Sequence, residues 1–310
     1  MQPFIRPERL YKYRKFDPFS VQILASPTTY YSSPINFNDP LDCDPTIDLD
    51  VDTVRLQALC HEFMVSIEML KEHEASESIS RLREESSQYI YVDDIDEHHE
   101  PTDDEIEDYF RVSLSNKVKK LLDAEFRKEG VLSLAETWDC PLMWSHYADG
   151  HRGICIEYDT TELPHPRLAR VDYSGQRSIK ASDLVAWKLD GCLQAREHIR
   201  QSYFFHKASQ WEYEREWRDL SERHGQLDEG YRISSVYFGL RCDFAITTIV
   251  VKLFSGRDDI SGRDDIKFYD VYPLGNTFKL RRREINPREV RLRGSARLDF
   301  KNVVLPELSD

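Results

Sequence analysis

Residues 142–159 read LMWSHYADGHRGICIEYD, and this stretch passes from helix through a reversal into strand. Pro141 suits the first turn of a short helix running to Ala148, because proline fixes φ and has no N–H to lose there. Gly150 stands at the end of such a helix, where glycine is common. From Gly153 to Tyr158 the period changes to two. Ile154, Ile156 and Tyr158 point one way, and Cys155, Glu157 and Asp159 the other. Trp144, His146, Tyr147, His151 and Arg152 are interleaved with these core positions, so polar groups sit on rigid elements, as a site requires.

Outward from this stretch, Leu10–Arg14 alternates as a strand and Phe19–Leu24 reads as a short amphipathic helix. Tyr30–Ser33 reads as a strand stopped by Pro34. Asn36–Pro40 is a turn, since Asn and Asp side chains bond their own backbone and Pro40 pushes Asp39 out of the helical region. Asp52–Gly130 is mostly helical, with Val54, Leu56, Leu59, Cys60, Phe63, Ile67 and Leu70 at helical spacing. A helix should begin at Thr102 or Asp103, after Pro101, and Gly130 is the expected cap of the segment. Val131–Ala135 is a strand and Arg170–Tyr173 a weaker one. A long helix is expected from Ser182 to about Ser209, then a charged strand over Trp211–Leu220 and another strand over Ile233–Phe238. Phe244–Phe254 fits strand by its β-branched content but helix by its length, and helix is preferred. Strands over Lys267–Tyr272 and Thr277–Arg282 close the chain. The hexamer SGRDDI occurs twice in tandem, from Ser255 and from Ser261, and reads as a lengthened surface loop. This irregular mixture predicts an α+β fold, not a doubly wound one. The expectation is one domain over residues 1–310, built on a mixed, mostly antiparallel sheet, with a helical acidic insertion at 52–130.

The chain has 310 residues, 40% of them hydrophobic, with a net charge of −14. That suffices for a large core and argues against a general nucleic-acid binder, which needs a basic stripe. The charge is uneven, however: acids crowd between Asp42 and Asp108, and bases from Lys279 to Arg297. Six scattered cysteines form no CxxC pair, so there is no zinc signature. With no apolar amino-terminal segment and no run of membrane-spanning length, a reducing cytoplasm and no membrane partner are expected. GxGxxG, P-loop, GxSxG and HExxH patterns are absent, which removes the commonest nucleotide, hydrolase and zincin signatures.

Three constellations could carry chemistry. In the first, His146 reads as a general base, a donor to a ligand, or a core histidine satisfied by a carbonyl. His151 and Arg152 beside the strand suit an anion. The second is Trp211–Arg218, WEYEREWR. As a strand it lines up Glu212, Glu214 and Glu216, three carboxylates that repel unless paired with cations, solvent or ligand. The ordinary reading is an edge strand bridged to Lys207 and Arg218; the sharper one makes Glu214 or Glu216 a functional acid. The third is Tyr11, Tyr13 and Arg14 followed by Ser32 and Ser33. The tyrosines read as core, but a half-buried guanidinium needs an anion. His206-Lys207 is either a phosphate contact or a helix C-terminal cap.

The segments LYKYR, YYSSPINFNDPLD, LMWSHYADGHRGICIEYD and WEYEREWR together resemble the bacterial family called domain of unknown function 2971, over roughly residues 10 to 285. The family name implies no activity. A more distant resemblance is to ADP-ribosyltransferases of the arginine-serine-glutamate type, in the order Arg14 (or Tyr13), Ser32-Ser33 and Glu214-Arg215-Glu216, although the full Ser-Thr-Ser triplet is missing. That resemblance implies a split sheet and NAD as substrate, with no metal. Arg14 would grip the pyrophosphate, the serine strand would orient the nicotinamide ribose, and Glu216 would hold the ribose hydroxyl and stabilise the oxocarbenium-like charge. Glu214 and His146 complete the implied catalytic set. Tyr13, Arg14, Ser32, Ser33, Trp144, Tyr147, His151 and Arg152 form the implied binding set. It further implies a toxin or defence effector with a protein or nucleic-acid acceptor. Two rival expectations stand beside it. One is a nuclease or hydrolase using His146, His151, Glu157, Asp159, Glu214 and Glu216, with a divalent metal held by oxygen ligands. The other is a non-catalytic module that recognises a nucleotide or a partner.

Overall fold

The computed structural model describes residues 6–26, 28–93, 102–163, 168–254 and 266–292. The tandem hexamer, apart from Ile266, lies outside them, as do Pro101 and the end of the basic stretch. The chain forms two compact units: residues 1–32, 131–171 and 210–310, and residues 33–130 and 172–209.

The first unit is built on strands β1 (Arg9–Arg14) and β2 (Thr29–Tyr31), while β3 (Thr46–Asp48) belongs to the second unit. The first unit continues with β4 (Gly130–Ala135), β5 (Ile154–Asp159) and β6 (Ala169–Arg170); β7 (Ser178–Lys180) again belongs to the second. Then come β8 (Glu216–Ser221), β9 (Gly225–Leu227), β10 (Arg232–Phe238), β11 (Lys267–Pro273) and β12 (Leu280–Glu284). Eight of these make one sheet in the order β12-β11-β10-β5-β1-β4-β8-β6, and β2 pairs with β9 separately. The β10–β11 pair is parallel; the pairs β1–β4, β1–β5, β5–β10, β11–β12 and β6–β8 are antiparallel. The fold is therefore α+β on a mixed, mostly antiparallel sheet.

Strand alternation sorts this sheet into two faces. One is dry. Leu10, Leu132, Leu134, Ile154, Ile156, Tyr158, Trp217, Val236 and Phe238 pack there with residues of helices α1 (Pro18–Ala25), α8 (Phe244–Phe254) and α9 (Pro287–Leu292). The other face carries Tyr13, Ala135, Cys155, Tyr237, Tyr269, Val271 and Leu280 under the short helix α5 (Pro141–Tyr147). Trp144 of α5 is wholly buried. Its ring meets Tyr13 edge-on with centroids 5.2 Å apart, and its Nε1 donates to the Trp138 carbonyl at 2.7 Å. Asp149, Gly150 and His151, all at positive φ, then turn the chain into β5.

In the second unit, α2 (Thr53–Ile67), α3 (Glu72–Asp93) and α4 (Asp103–Phe126) pack with α6 (Ala181–Lys188) and α7 (Leu193–Phe205), and β3 pairs in parallel with β7. Thr102 caps α4 through a complete capping box with Glu105, as its position before an acidic first turn leads one to expect. Phe126 stacks on Trp187 with centroids 5.9 Å apart and meets Tyr203 edge-on at 4.9 Å.

Three expectations need correction. The long helix from Ser182 to Ser209 is two helices, broken where Gly191 takes a φ of +70°. Gly130 is no helix cap: α4 ends at Phe126 and Gly130 opens β4. The strand over Trp211–Leu220 is a 3-10 turn over Ser209–Glu214 followed by β8, and Arg215 at φ +45° separates them.

Gly153 fixes the approach of β1 to the start of β5, since a Cβ there would lie 2.1 Å from the Arg14 carbonyl oxygen. Backbone cannot yield as a side-chain tip can. Gly153→Ala is expected to lower the free energy of urea unfolding by more than about 2 kcal/mol; an unchanged midpoint would contradict this packing.

Candidate functional site

The sheet face below α5 holds a buried carboxylate. Glu157 projects from β5 and is only 7% exposed. A carboxylate removed from water must recover its hydrogen bonds or neutralise. Glu157 recovers them from hydroxyls. Tyr237 Oη donates to its Oε2 at 2.5 Å, and Ser234 and Ser235 donate to its Oε1 at 2.7 and 3.2 Å. Both serines reach it because the β5–β10 register shifts between Ile233 and Ser235, a bulge that brings an extra residue opposite Glu157. Tyr11 stands opposite Glu157 in the β1–β5 register. Burial and then Glu157 itself push the Tyr11 hydroxyl well above its ordinary range; burial and the bond to Glu157 do the same for Tyr237. Both hydroxyls stay protonated.

Two arginines rim this carboxylate. Arg282 Nη1 lies 3.8 Å from Glu157 and also donates to Tyr237 Oη; Arg9 Nε lies 4.0 Å from Glu157, with its Nη1 2.8 Å from Asp159. Their side chains are 41% and 43% exposed. The Arg282 guanidinium lies over the rings of Tyr269, Tyr237 and Trp138, at 4.6, 5.5 and 5.7 Å. Trp138 stacks on Tyr237 and Tyr237 on Tyr269, at 5.2 and 4.9 Å. The guanidinium is thus held in a fixed orientation by ring faces.

The same face continues towards α5. Tyr11, Trp138, Tyr147 and Tyr213 all pack against its core as partly buried rings. Tyr147 Oη donates to Glu214 Oε1 at 2.6 Å, and Glu214 is 4% exposed. His146 is exposed and lies 6.2 Å from both Tyr213 and Trp211, nearly parallel to the former. It is therefore not a core histidine, and among the described residues no carbonyl or acid is paired with it.

Glu216 also faces this side, because its neighbour Trp217 packs in the dry core. It is 4% exposed and bound bidentately by the fully buried Arg218, Oε1 to Nε at 2.9 Å and Oε2 to Nη2 at 3.0 Å. The three carboxylates of WEYEREWR therefore do not line one strand face. Glu212 is exposed in the 3-10 turn, Glu214 answers Tyr147, and Glu216 is an ion-pair partner. The ordinary reading of a bridge to Arg218 holds for Glu216. Lys207 instead pairs with Asp42 at 3.5 Å inside the second unit.

Arg14 does not join Glu216. It pairs with Ile154 in the β1–β5 register and so projects to the dry face. The expected gathering of Arg14 and Glu216 fails because the sheet itself stands between them. Tyr13, on the Glu157 face, is a core residue whose Oη donates to the Thr137 carbonyl. Ser32 bridges Val131 through backbone bonds of 2.9 and 2.8 Å. Ser33 belongs to the second unit, where its Oγ donates to the Arg127 carbonyl at 3.3 Å. Trp144 is buried core, and His206 is the C-cap residue of α7, its Nδ1 3.1 Å from the Gln176 carbonyl. Arg152 is exposed and, among the described residues, reaches the Asp149 carbonyl at 3.4 Å.

Sequence reading missed Trp138, Ser234, Ser235, Tyr237, Tyr269 and Arg282. The signal available was the alternation of Ser235 and Tyr237 with the apolar Val236 and Phe238, which marks a polar side of β10.

Among the described residues no group of three or more His, Cys, Asp and Glu side chains is placed to hold a metal ion, and no helix is long and apolar enough to cross a membrane. Residues 143–218 match the family described as Protein of unknown function (DUF2971). That segment holds His146, Tyr147, Glu157, Glu214 and Glu216. No curated protein matches the chain, and no solved structure does.

His151 stacks on Trp144 at 6.1 Å, and its Nδ1 is buried without a partner among the described residues. Burial, and then the Arg241 charge, hold its pKa below the ordinary 6.5. The folded state thus prefers neutral imidazole, and the unfolded chain takes up the proton first. Its contribution is complete above about pH 6.5 and is lost as pH falls towards the depressed value. In pH-dependent unfolding, His151→Asn, which tolerates the left-handed backbone, should flatten the loss of stability below that pH; an unchanged profile would contradict the assignment.

Proposed function

We propose that the first unit binds a small nucleotide-like ligand against the Glu157 face of its sheet. One observation carries this reading: buried carboxylates, ring faces and two half-exposed guanidinium groups share a single face. Nucleotides combine a planar ring, hydroxyls and an anionic group, and this face offers a partner for each. Trp138, Trp211 and Tyr213 supply rings for stacking. Glu214, with Tyr147, supplies an acceptor for hydroxyls, and Arg9 and Arg282 supply forked donors for phosphate. The match of residues 143–218 to an uncharacterised family supports a shared role for this region but does not name one.

NAD belongs to this ligand class, and cleavage of its nicotinamide–ribose bond is the enzymatic form of the proposal. In that step the bond from the ribose anomeric carbon to the ring nitrogen breaks and nicotinamide leaves with the electron pair. A protein or nucleic-acid nucleophile then attacks the anomeric carbon. Glu214, whose Oε1 accepts from Tyr147 beside His146, is the carboxylate proposed to stabilise the developing charge, and Glu216 is held bidentately by Arg218. His146, exposed beside Tyr213, is the available proton acceptor.

Calorimetry with AMP, ADP-ribose and NAD tests the binding claim. Binding at micromolar to low millimolar strength is expected, weakened at least about fivefold in Trp138→Ala through lost stacking and about tenfold in Glu214→Gln. Failure of all three to bind at millimolar concentration would remove the proposal. Nicotinamide release that Glu214→Gln abolishes, with unfolding unchanged, would establish the enzymatic form; binding without release would leave a recognition module.

A further inference from the structure

The β12 edge of the sheet is unlike the rest of this acidic chain. Residues 279–292, KLRRREINPREVRL, hold six bases against two acids, in a chain whose net charge is −14. β12 lies at the end of the sheet order, so among the described residues no strand pairs with its outer side. Arg281, Arg282 and Arg283 are exposed in succession. Phe278, in the turn before β12, is 96% exposed. Its neighbours Asn276, Thr277 and Lys279 are polar and exposed.

Charge on an edge strand commonly serves to block edge-to-edge association. That purpose needs one or two charges and gives no reason for a fully exposed phenylalanine at the same tip. An apolar partner is excluded by the arginines, and insertion into a membrane is poorly served by one ring among polar neighbours. A stacking ring beside forked cations instead has the composition of a surface for single-stranded nucleic acid. The geometry agrees. Arg281 and Arg283 project to the same side, about 7 Å apart along the strand, comparable with the step between phosphates of an extended strand. Arg283 is 54% exposed even while it contacts Asp270 at 3.4 Å. Arg282 projects to the opposite side, over Tyr269.

We propose that the β12 edge, through Phe278, Arg281 and Arg283, binds single-stranded nucleic acid. The two arginines hold successive phosphates, and the Phe278 ring takes a base. This surface uses residues other than those assigned to the mononucleotide site, so each claim can fail without the other.

Fluorescence anisotropy with a labelled oligothymidylate and the matching oligouridylate, titrated across salt, tests it. Wild-type protein should bind at low salt. Arg281→Glu/Arg283→Glu should weaken binding more than tenfold and make the logarithmic salt dependence shallower by about 1.4, the loss of two phosphate contacts. Phe278→Ala, which removes an exposed ring and leaves the fold intact, should weaken it about tenfold. Charge reversal at exposed Arg55 in the second unit should change nothing. Absence of wild-type binding at low salt, or equal losses from Arg55→Glu, would overturn the proposal. So would capture by anionic phosphatidylserine vesicles in place of the oligonucleotides.

Discussion

The alternation of side chains along β1 and β5 governs the first unit. Leu10 with Tyr158, and Lys12 with Ile156, stand opposite one another on one side; Tyr11 with Glu157, and Tyr13 with Cys155, stand opposite on the other. A strand has no third direction. Once the apolar members are buried under α1, α8 and α9, Glu157 and Asp159 of β5 must be accommodated on the remaining face, with Tyr11 and Tyr13 of β1. Glu157 is there because Ile156 and Tyr158 are not. The same rule separates Arg14 from Glu216, since a one-residue difference in parity puts a full sheet between them.

Burying Glu157 is costly unless its oxygens are met. The chain meets them with hydroxyls, which carry no charge of their own to be desolvated, and keeps the two arginines at the rim, where water still reaches them. The outcome is a carboxylate locked in place beneath cations that retain exposed N–H groups. Asp219 shows the same device on the opposite face. It is 2% exposed and accepts from Tyr31 and Tyr231 at 2.6 and 2.9 Å. Both bonds reach its Oδ2 within the dry core, whereas the Glu157 network ends at a half-exposed surface. That difference is why the ligand is proposed for the Glu157 face.

Much of this was legible where local rules decide. Period two marked β1 and β5, Pro141 marked the start of α5, and the acidic turn after Pro101 marked the start of α4. The α+β class followed from their irregular order. Local rules failed where backbone conformation overrode pattern. WEYEREWR alternates as a strand does, yet Arg215 adopts a left-handed conformation and turns Glu212 and Glu214 away from the strand that holds Glu216. Helical periodicity likewise ran through Gly191 without registering the break. The Glu157 site was hidden for another reason. Its partners Tyr237 and Arg282 lie 80 and 125 residues further along, on strands whose place in the sheet no local pattern discloses. Arg282 reads in sequence as one of three surface arginines; only the neighbouring rings distinguish it.

The central claim, that the Glu157 face is a ligand surface and not merely a satisfied network, is tested most directly at its tryptophans. The five indole N–H resonances can be assigned with single Trp→Phe variants and followed as AMP is added. The account predicts that the Trp138 signal moves most and saturates, while that of Trp187, in the second unit, stays fixed. A Trp138 signal unmoved through millimolar AMP, or a shift confined to Trp187, would contradict it.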